Sequence, residues 1–328
     1  MTLLRRLSIA ALAVAVLHVI FGAIVRISGS GFGCGDHWPK CHGDWFPPFN
    51  RADLVIEVTH RYLAFGLSLV ILALLAATWS RRAERGIRGP GGILRPAALA
   101  AVLVVAAALF GAVIVKLELA NRMVVVVHLG IAMTLIATLV VASIRAGALG
   151  GFATGLLGGS SKTARGALAA AILGFLVLVM GALTANLPGA ASACTGFPLC
   201  RNGFGEPMQG VQLTHRILAF LLLFHVIGLV VVIRKRREPA LLRRSGGTAL
   251  TALVVQVLVA AAMVEMGLPL VLRAAHQAVG TLAWVAVVSL AVLARRSAAG
   301  NGETLRVSAA GVPTFQVGGG PRPSGAGA

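Results

Sequence analysis

The segment Thr59–Phe65 reads THRYLAF, and Thr214–Phe220 repeats it as THRILAF. A second pair precedes these segments in the same order, because GAIV at Gly22–Val25 is echoed by GALT at Gly181–Thr184. In each half a later histidine also opens an apolar run. An internal repeat sets the architecture of a whole chain, and this one predicts two similar halves.

The composition excludes a soluble protein. Hydrophobic residues make up 58% of the 328 residues and charged residues 12%, against about 25% charged in soluble domains. The apolar residues gather in blocks of about 20, the length that crosses a hydrocarbon core of ~30 Å. We therefore predict an all-α integral membrane protein with eight transmembrane helices, at about 7–27, 57–79, 97–117, 123–144, 164–184, 212–233, 248–266 and 271–294.

The repeat assigns four of these helices to each half. An even number of helices per repeat makes the repeats parallel, related by an axis along the membrane normal. We expect two fused, pseudo-twofold-related four-helix bundles, 1–145 and 164–296, joined by a Gly-rich linker, 146–163. The first helix has the basic start of a signal peptide, but its counterpart in the repeat predicts that it is retained. The Gly- and Pro-rich tail, 297–328, is predicted to be disordered.

The formal charge of +19 is concentrated in alternate connecting segments. These basic segments carry a net +17 and the rest of the chain +2. They are Arg5–Arg6, Arg81–Arg95, Arg145–Arg165, Arg234–Arg244 and the chain from Arg295. The positive-inside rule places them, with both termini, in the cytoplasm, so the charge indicates topology and membrane lipid rather than a nucleic-acid partner. The 25 Arg against 4 Lys, with abundant Ala and Gly, favour a bacterial plasma membrane.

Four of the eight histidines form repeat pairs, His60 with His128 and His215 with His276. All four fall near the outer ends of the second and fourth predicted helix of their half. Ligating side chains at membrane depth are costly and indicate function, and two imidazoles inside a four-helix bundle can supply both axial ligands of a heme iron. The alternative is four structural histidines bonded to carbonyls. The duplicated pair favours heme, whereas a non-heme metal would need further ligands.

The other histidines and the nearby arginines are weaker candidates. We interpret four histidines without a repeat partner as structural: His18, His37, His42 and His225. Three arginines near the paired histidines can bind heme propionates through their planar guanidinium groups or extend to lipid headgroups: Arg61, Arg216 and Arg273.

The two halves differ at one position beside the first histidine. Glu57 stands three residues before His60, where Gln212 stands before His215. A spacing of three places both side chains on one helix face. A carboxylate beside a heme edge can act as a general base or stabilise a developing cation, so Glu57 is the candidate catalytic residue and the N-terminal half the catalytic half. Alternatively, Glu57 is an acidic residue favoured by the helix dipole.

The four cysteines fall in the first and third predicted outer loops, as Cys34 with Cys41 and Cys194 with Cys200. Disulfides persist on the outer side of a membrane, and each pair closes a short loop rich in Gly and Pro. We therefore predict two intraloop disulfides that stiffen a lid over each pocket. For the first pair, exchange with a thiol partner is the alternative role.

These motifs together resemble the heme A synthase family. The resemblance covers the chain up to about residue 296 and is carried by Gly22–Arg26, Ser28–Gly31, Cys34-Gly35, Trp38-Pro39, Cys41–Gly43, Glu57-x-x-His60-Arg61 and the three further histidines. It implies oxidation of the C8 methyl of heme O to the formyl of heme A, for terminal oxidases. It also implies a resident heme b on His215 and His276, with heme O near His60 and His128 and Glu57 as the catalytic carboxylate.

The resemblance further implies two kinds of partner, namely heme O synthase and terminal oxidase assembly factors. It leaves the electron acceptor open, with a quinone as one candidate. We expect successive oxidations of the methyl group with electrons leaving through the C-terminal heme b, and water capturing a cationic methyl carbon beside Glu57. A di-heme b-type membrane cytochrome that only transfers electrons is the main alternative. A transporter is the third, although it would require broken helices near mid-depth.

Overall fold

Eight long helices make up the structure, a computed structural model that describes residues 1–117, 121–153, 156–203 and 205–309. They are α1 (Thr2–Ile27), α2 (Ala52–Ser80), α3 (Leu94–Lys116), α4 (Arg122–Arg145), α5 (Ser161–Asn186), α6 (Gln209–Lys235), α7 (Ala240–Glu265) and α8 (Leu270–Ala309). Each contains an apolar stretch long enough to cross a membrane. The described residues form no β-strand, so the predicted all-α membrane fold with eight spans is confirmed.

Several helices begin before the apolar stretch that predicts them. The seventh starts at Ala240, directly after Pro239, although its apolar run was placed from residue 248. Proline suits the entrance of a helix because its missing N–H is not needed there. Asn121 and Ser160 cap α4 and α5 by accepting the N–H groups of Met123 and Lys162. Hydropathy thus locates the membrane-crossing part, while caps and prolines locate the helix ends.

Each half of the chain packs as a ring of four helices. In the first half α1 contacts α2 and α4, and α3 contacts the same two helices; α5 to α8 repeat this pattern. The halves meet through contacts of α1 with α8, α4 with α5, and α4 with α8. These pairings are the ones that a twofold axis between α4 and α8 requires. The pseudo-twofold relation itself stays a prediction.

A continuous apolar core joins the two rings. Met133 and Ile136 of α4 and Trp284 and Val287 of α8 belong to one buried cluster. The Trp284 indole donates its N–H to the Met133 carbonyl over 2.9 Å. A Cβ at Gly174 would lie 3.4 Å from the Trp284 ring, so this glycine permits close approach of α5. Small residues at such contacts are typical of membrane helix packing.

The linker between the halves is held to Glu238, which lies between α6 and α7, and to Ser297 of α8. Glu238 is buried and accepts a 2.5 Å hydrogen bond from the Thr163 hydroxyl and another from the Ser160 N–H. The Ser297 hydroxyl donates to the Leu156 carbonyl. Helix α8 therefore continues past residue 297, where the sequence predicted a disordered tail, because Ser297 packs on the linker. Residues 310–328 of that predicted tail lie outside the described residues.

Candidate functional site

The N-terminal half brings its two predicted histidines into one bundle. His60 lies on α2 and His128 on α4, both near the helix starts and both partly buried. A Cβ on Gly22 of α1 would stand 2.9 Å from Cε1 of His60, so glycine is what leaves room for the ring. The Nδ1 atoms of both histidines are buried, and the described residues offer them no hydrogen-bond partner.

The C-terminal half repeats this arrangement with one difference. His215 on α6 faces Gly181 of α5, whose Cβ would again stand 2.9 Å from the ring Cε1. Here, however, Nδ1 of His215 lies 3.1 Å from the Val177 carbonyl. His276 on α8 has the Gln256 amide nitrogen 3.1 Å from its Nδ1. In the C-terminal half, the His215 imidazole is therefore oriented by a main-chain carbonyl and the His276 imidazole by a side-chain amide.

Each half thus holds its two paired histidines within one four-helix ring, on its second and fourth helix. Within the described ranges, no group of three or more His, Cys, Asp or Glu side chains could hold a metal ion. An iron already held in a porphyrin needs only two axial protein ligands. Buried imidazole nitrogens without partners, at the paired positions of the N-terminal half, fit that requirement.

Glu57 is buried one turn before His60, with 4% of its surface exposed. Its Oε1 accepts a 2.5 Å hydrogen bond from the Arg61 guanidinium. Its Oε2 accepts the Cys34 main-chain N–H over 2.9 Å. Both oxygens are therefore fixed, so the carboxylate is a positioned acceptor rather than a mobile side chain.

The counterpart of Glu57 makes weaker contacts. Gln212 is 5% exposed, and its amide nitrogen donates to the Ala191 carbonyl over 3.2 Å. Its Oε1 is buried without a partner among the described residues. The predicted asymmetry between the halves is therefore one of geometry as well as of charge, because only the carboxylate is held from two sides.

Arg61 and Arg216 hold the two disulfide-containing loops onto the helices. Arg61 donates to the carbonyls of His37, Pro39 and Lys40 over 2.8–3.1 Å. Arg216, 7% exposed, donates in the same way to three carbonyls of the other loop, those of Cys194, Gly196 and Pro198. These contacts supply a role that the sequence analysis did not foresee, while the predicted propionate contacts stay predictions.

The remaining predicted arginine lies between the two halves. Arg273 at the start of α8 interacts electrostatically with Arg26 at the end of α1. Arg26 itself donates to the Ala185 carbonyl at the end of α5 over 3.1 Å. In the described part of the chain, no side chain accepts a hydrogen bond from Arg273. Arg26 and Arg273 are therefore two cationic side chains at the ends of α1 and α8, helices of different halves that contact each other.

Both predicted disulfides are present, Cys34–Cys41 and Cys194–Cys200. The first is buried and packs with Leu54 at the start of α2. Since the Cys34 N–H also binds Glu57, this bridge fixes the loop that positions the carboxylate. The structure accordingly links the first loop, α2 and the first histidine into one unit.

Two residues that the sequence analysis did not select lie beside the histidines. The His18 ring stacks on that of His60, with centroids 4.2 Å apart and planes at 14°. Gln256 contacts His276. The available signals were their polarity within apolar runs and, for His18, its spacing of four from Gly22. His225, in contrast, bonds the Gly166 carbonyl over 2.9 Å, as a structural histidine does.

Comparison with known proteins identifies relatives along most of the chain. Residues 5–55 and 51–288 match the family model COX15-CtaA, described as cytochrome oxidase assembly protein. The heme A synthase of Geobacillus kaustophilus is 30% identical over 233 residues, 68% of this chain and 70% of that protein. The heme A synthase of Symbiobacterium thermophilum is 30% identical over 269 residues, covering 78% and 84%. That of Geobacillus thermodenitrificans is 28% identical over 270 residues, covering 80% and 83%.

Proposed function

Because this chain belongs to the COX15-CtaA family of cytochrome oxidase assembly proteins, we propose that it is an enzyme of heme A synthesis that oxidises the C8 methyl of heme O to a formyl group. The observation that carries the proposal is the duplicated pair of imidazoles, each with its first ring seated against a glycine. The resemblance of the outer loop and of Glu57-x-x-His60-Arg61 to this family supports the same reaction.

In this proposal the C-terminal half is the cofactor half. His215 and His276 would hold a heme b, with their rings oriented by the Val177 carbonyl and the Gln256 amide. Partners of this kind fix the tautomer and orientation of a ligating histidine. When bound, heme b supplies one-electron redox chemistry suited to the electrons that the methyl oxidation releases.

The N-terminal half would bind the substrate. His60 and His128 would ligate the iron of heme O, and the described chain leaves the Nδ1 atoms of both rings without a hydrogen-bond partner. Conversion of a methyl to a formyl group consumes one water and releases four electrons and four protons. The chain must therefore stabilise positive charge at the methyl carbon while water adds.

Glu57 is the residue that we assign to this stabilisation. Its two oxygens are held by the Arg61 guanidinium and the Cys34 N–H, so the anion needs no reorganisation when charge develops nearby. Preorganised groups of this kind account for a large share of enzymatic rate enhancement. The C-terminal half has a neutral amide at this position, as expected of a half that only holds a cofactor.

Arg26 and Arg273 support a place for propionate groups between the bundles. Both arginines lie at the ends of helices that pack against each other, α1 and α8, and an anion bound by both would offset the repulsion between their charges. A planar guanidinium suits a carboxylate particularly well. We therefore keep Arg273 as the propionate partner best supported by its surroundings.

The proposal extends to location and partners. The eight spans make the chain a multi-pass membrane protein, and its similarity to proteins of bacteria supports a location in a plasma membrane. We propose that both termini are cytoplasmic, on the charge distribution of the loops. Heme O synthase would supply the substrate, oxidase assembly factors would take up the product, and a quinone-like acceptor would remove the electrons.

The test is heme extraction from a bacterial host that lacks its own enzyme for heme A formation. The chain is expressed with and without heme O synthase, and total heme is separated by chromatography and identified by mass. We expect heme A only when both proteins are present. Heme B and heme O without heme A, in a host that has a quinone pool and contains the chain in its membrane, would instead indicate a di-heme electron carrier.

A further inference from the structure

The two halves hold their first histidine by different means. In the C-terminal half, Nδ1 of His215 is 3.1 Å from the Val177 carbonyl. Val177 stands four residues before Gly181, and the residue four before Gly22 is His18. Since both glycines make room for the paired histidine ring, the repeat places an imidazole side chain at the position where the other half has a valine.

This imidazole lies face to face with the iron-ligand candidate. The centroids of the His18 and His60 rings are 4.2 Å apart and their planes differ by 14°. Nδ1 of His60 is buried and finds no hydrogen-bond partner among the described residues, in contrast to Nδ1 of His215. The ring of His60 is therefore oriented by stacking and by the contact with Gly22, not by a carbonyl.

The difference has a chemical consequence for the bound group. A hydrogen bond from the second ring nitrogen fixes the tautomer of a ligating histidine and makes it a stronger ligand. Stacking fixes the plane of the ring without this effect on its basicity. A substrate site must release its product, whereas a cofactor site must not, and the two modes of support match these tasks.

We propose that His18 is a positioning residue of the N-terminal site, whose ring holds His60 in the plane needed to ligate the substrate heme while leaving that ligand without a carbonyl hydrogen bond. This inference rests on the proposed function, because it takes His60 as a ligand of heme O. His18 acts through His60 and has no direct part in the chemistry.

Three variants test the proposal. His18→Val introduces the side chain of the other half, and His18→Phe keeps a flat ring without nitrogen. Val177→Ala is the matched control, because it changes the equivalent position but keeps the carbonyl that binds His215. Each protein is purified in detergent after coexpression with heme O synthase and mixed with excess apomyoglobin, and heme release is followed by absorbance. The EPR signal of low-spin ferric heme, which depends on ligand orientation, is recorded in parallel.

For the unmodified protein we expect two phases of release, a fast one carrying heme O or heme A and a slow one carrying heme B. Loss of ring stacking in His18→Val should accelerate the fast phase by about three- to tenfold and alter one of the two low-spin signals. His18→Phe should stay within about twofold of the unmodified protein, as should Val177→Ala. An unchanged slow phase shows that each variant is folded.

Two results would overturn the role of His18. The first is a His18→Val protein whose fast phase and EPR signal are unchanged. The second is a His18→Phe protein that releases heme as fast as His18→Val does, which would show that an imidazole nitrogen rather than the ring face is needed. Either result leaves the proposed function standing if the unmodified protein still releases two kinds of heme. An unmodified protein that carries no heme O or heme A would remove both proposals together.

Discussion

Replacing Glu57 with glutamine gives the N-terminal half the side chain that the C-terminal half has at Gln212. The change removes a charge and nearly preserves the shape of the side chain. The carboxylate accepts from both the Arg61 guanidinium and the Cys34 N–H, but an amide has only one oxygen to accept with. One of these two donors therefore loses its partner in Glu57→Gln.

The structure sets the expected size of both effects. A buried donor left without its acceptor costs about 1–3 kcal/mol of stability. The lower part of this range applies because Arg61 still donates hydrogen bonds to three loop carbonyls. Loss of one preorganised electrostatic group lowers kcat by about 10²–10³. Since the Arg61 ion pair offsets part of the Glu57 charge, we expect the lower value, about a hundredfold.

The assay is the ratio of heme A to heme O in extracts of a host that also makes heme O synthase, normalised to heme B bound by the purified protein. Gln212→Glu is the matched control, because Arg216 stands four residues later as Arg61 does after Glu57, and it should keep heme A formation within about threefold. If Glu57→Gln formed heme A at the unmodified rate while binding normal heme B, the assignment of the carboxylate would be wrong.

Three further predictions concern fit, loop anchoring and topology. Gly22→Ala should deplete the substrate heme and Gly181→Ala the heme b, because the added methyl group crowds the adjacent imidazole at a cost of about 1–3 kcal/mol in stability. Gly228→Ala is the control, since a Cβ there meets no atom within 4 Å. Equal heme contents in all three variants would contradict the fit. Arg216→Lys should lower the free energy of unfolding by about 1–3 kcal/mol, because an ammonium group cannot reach all three carbonyls of the Cys194–Cys200 loop. An unchanged melting curve would contradict this anchoring. A reporter that works only in the cytoplasm should be active when fused after the last residue, and one that works only in the periplasm should be inactive there. Activity of the periplasmic reporter would reverse the predicted topology.

Hydropathy and the repeat were sufficient to predict the fold class. Eight apolar blocks became eight helices, since a backbone inside a hydrocarbon core must satisfy its own hydrogen bonds. The helix ends were less predictable, as α7 and α8 show. The membrane boundary ends an apolar run, but a helix ends at a cap, at a proline or where packing stops. Ser297, buried on the linker, shows the converse, because α8 continues past its apolar run where packing continues.

The candidate site was predictable where the repeat marked it. His60 and His215 share a seven-residue motif, and Glu57 was conspicuous because Gln212 replaces it. His18 was missed because its partner in the repeat is a valine, so that only the packing of α1 on α2 brings it to His60. The loop contacts of Arg61 were missed for a similar reason. Main-chain carbonyls carry no sequence signal, and every arginine at a membrane border has several available partners.

The division of labour between the halves is tested most directly by removing the histidines of one half at a time. The proteins His60→Ala/His128→Ala and His215→Ala/His276→Ala are purified from a host that makes heme O, and their extracted heme is identified by mass. We predict that the first retains heme B and lacks heme O and heme A, whereas the second lacks heme B and retains heme O. Loss of the same heme from both proteins, or the reverse assignment, would contradict the account.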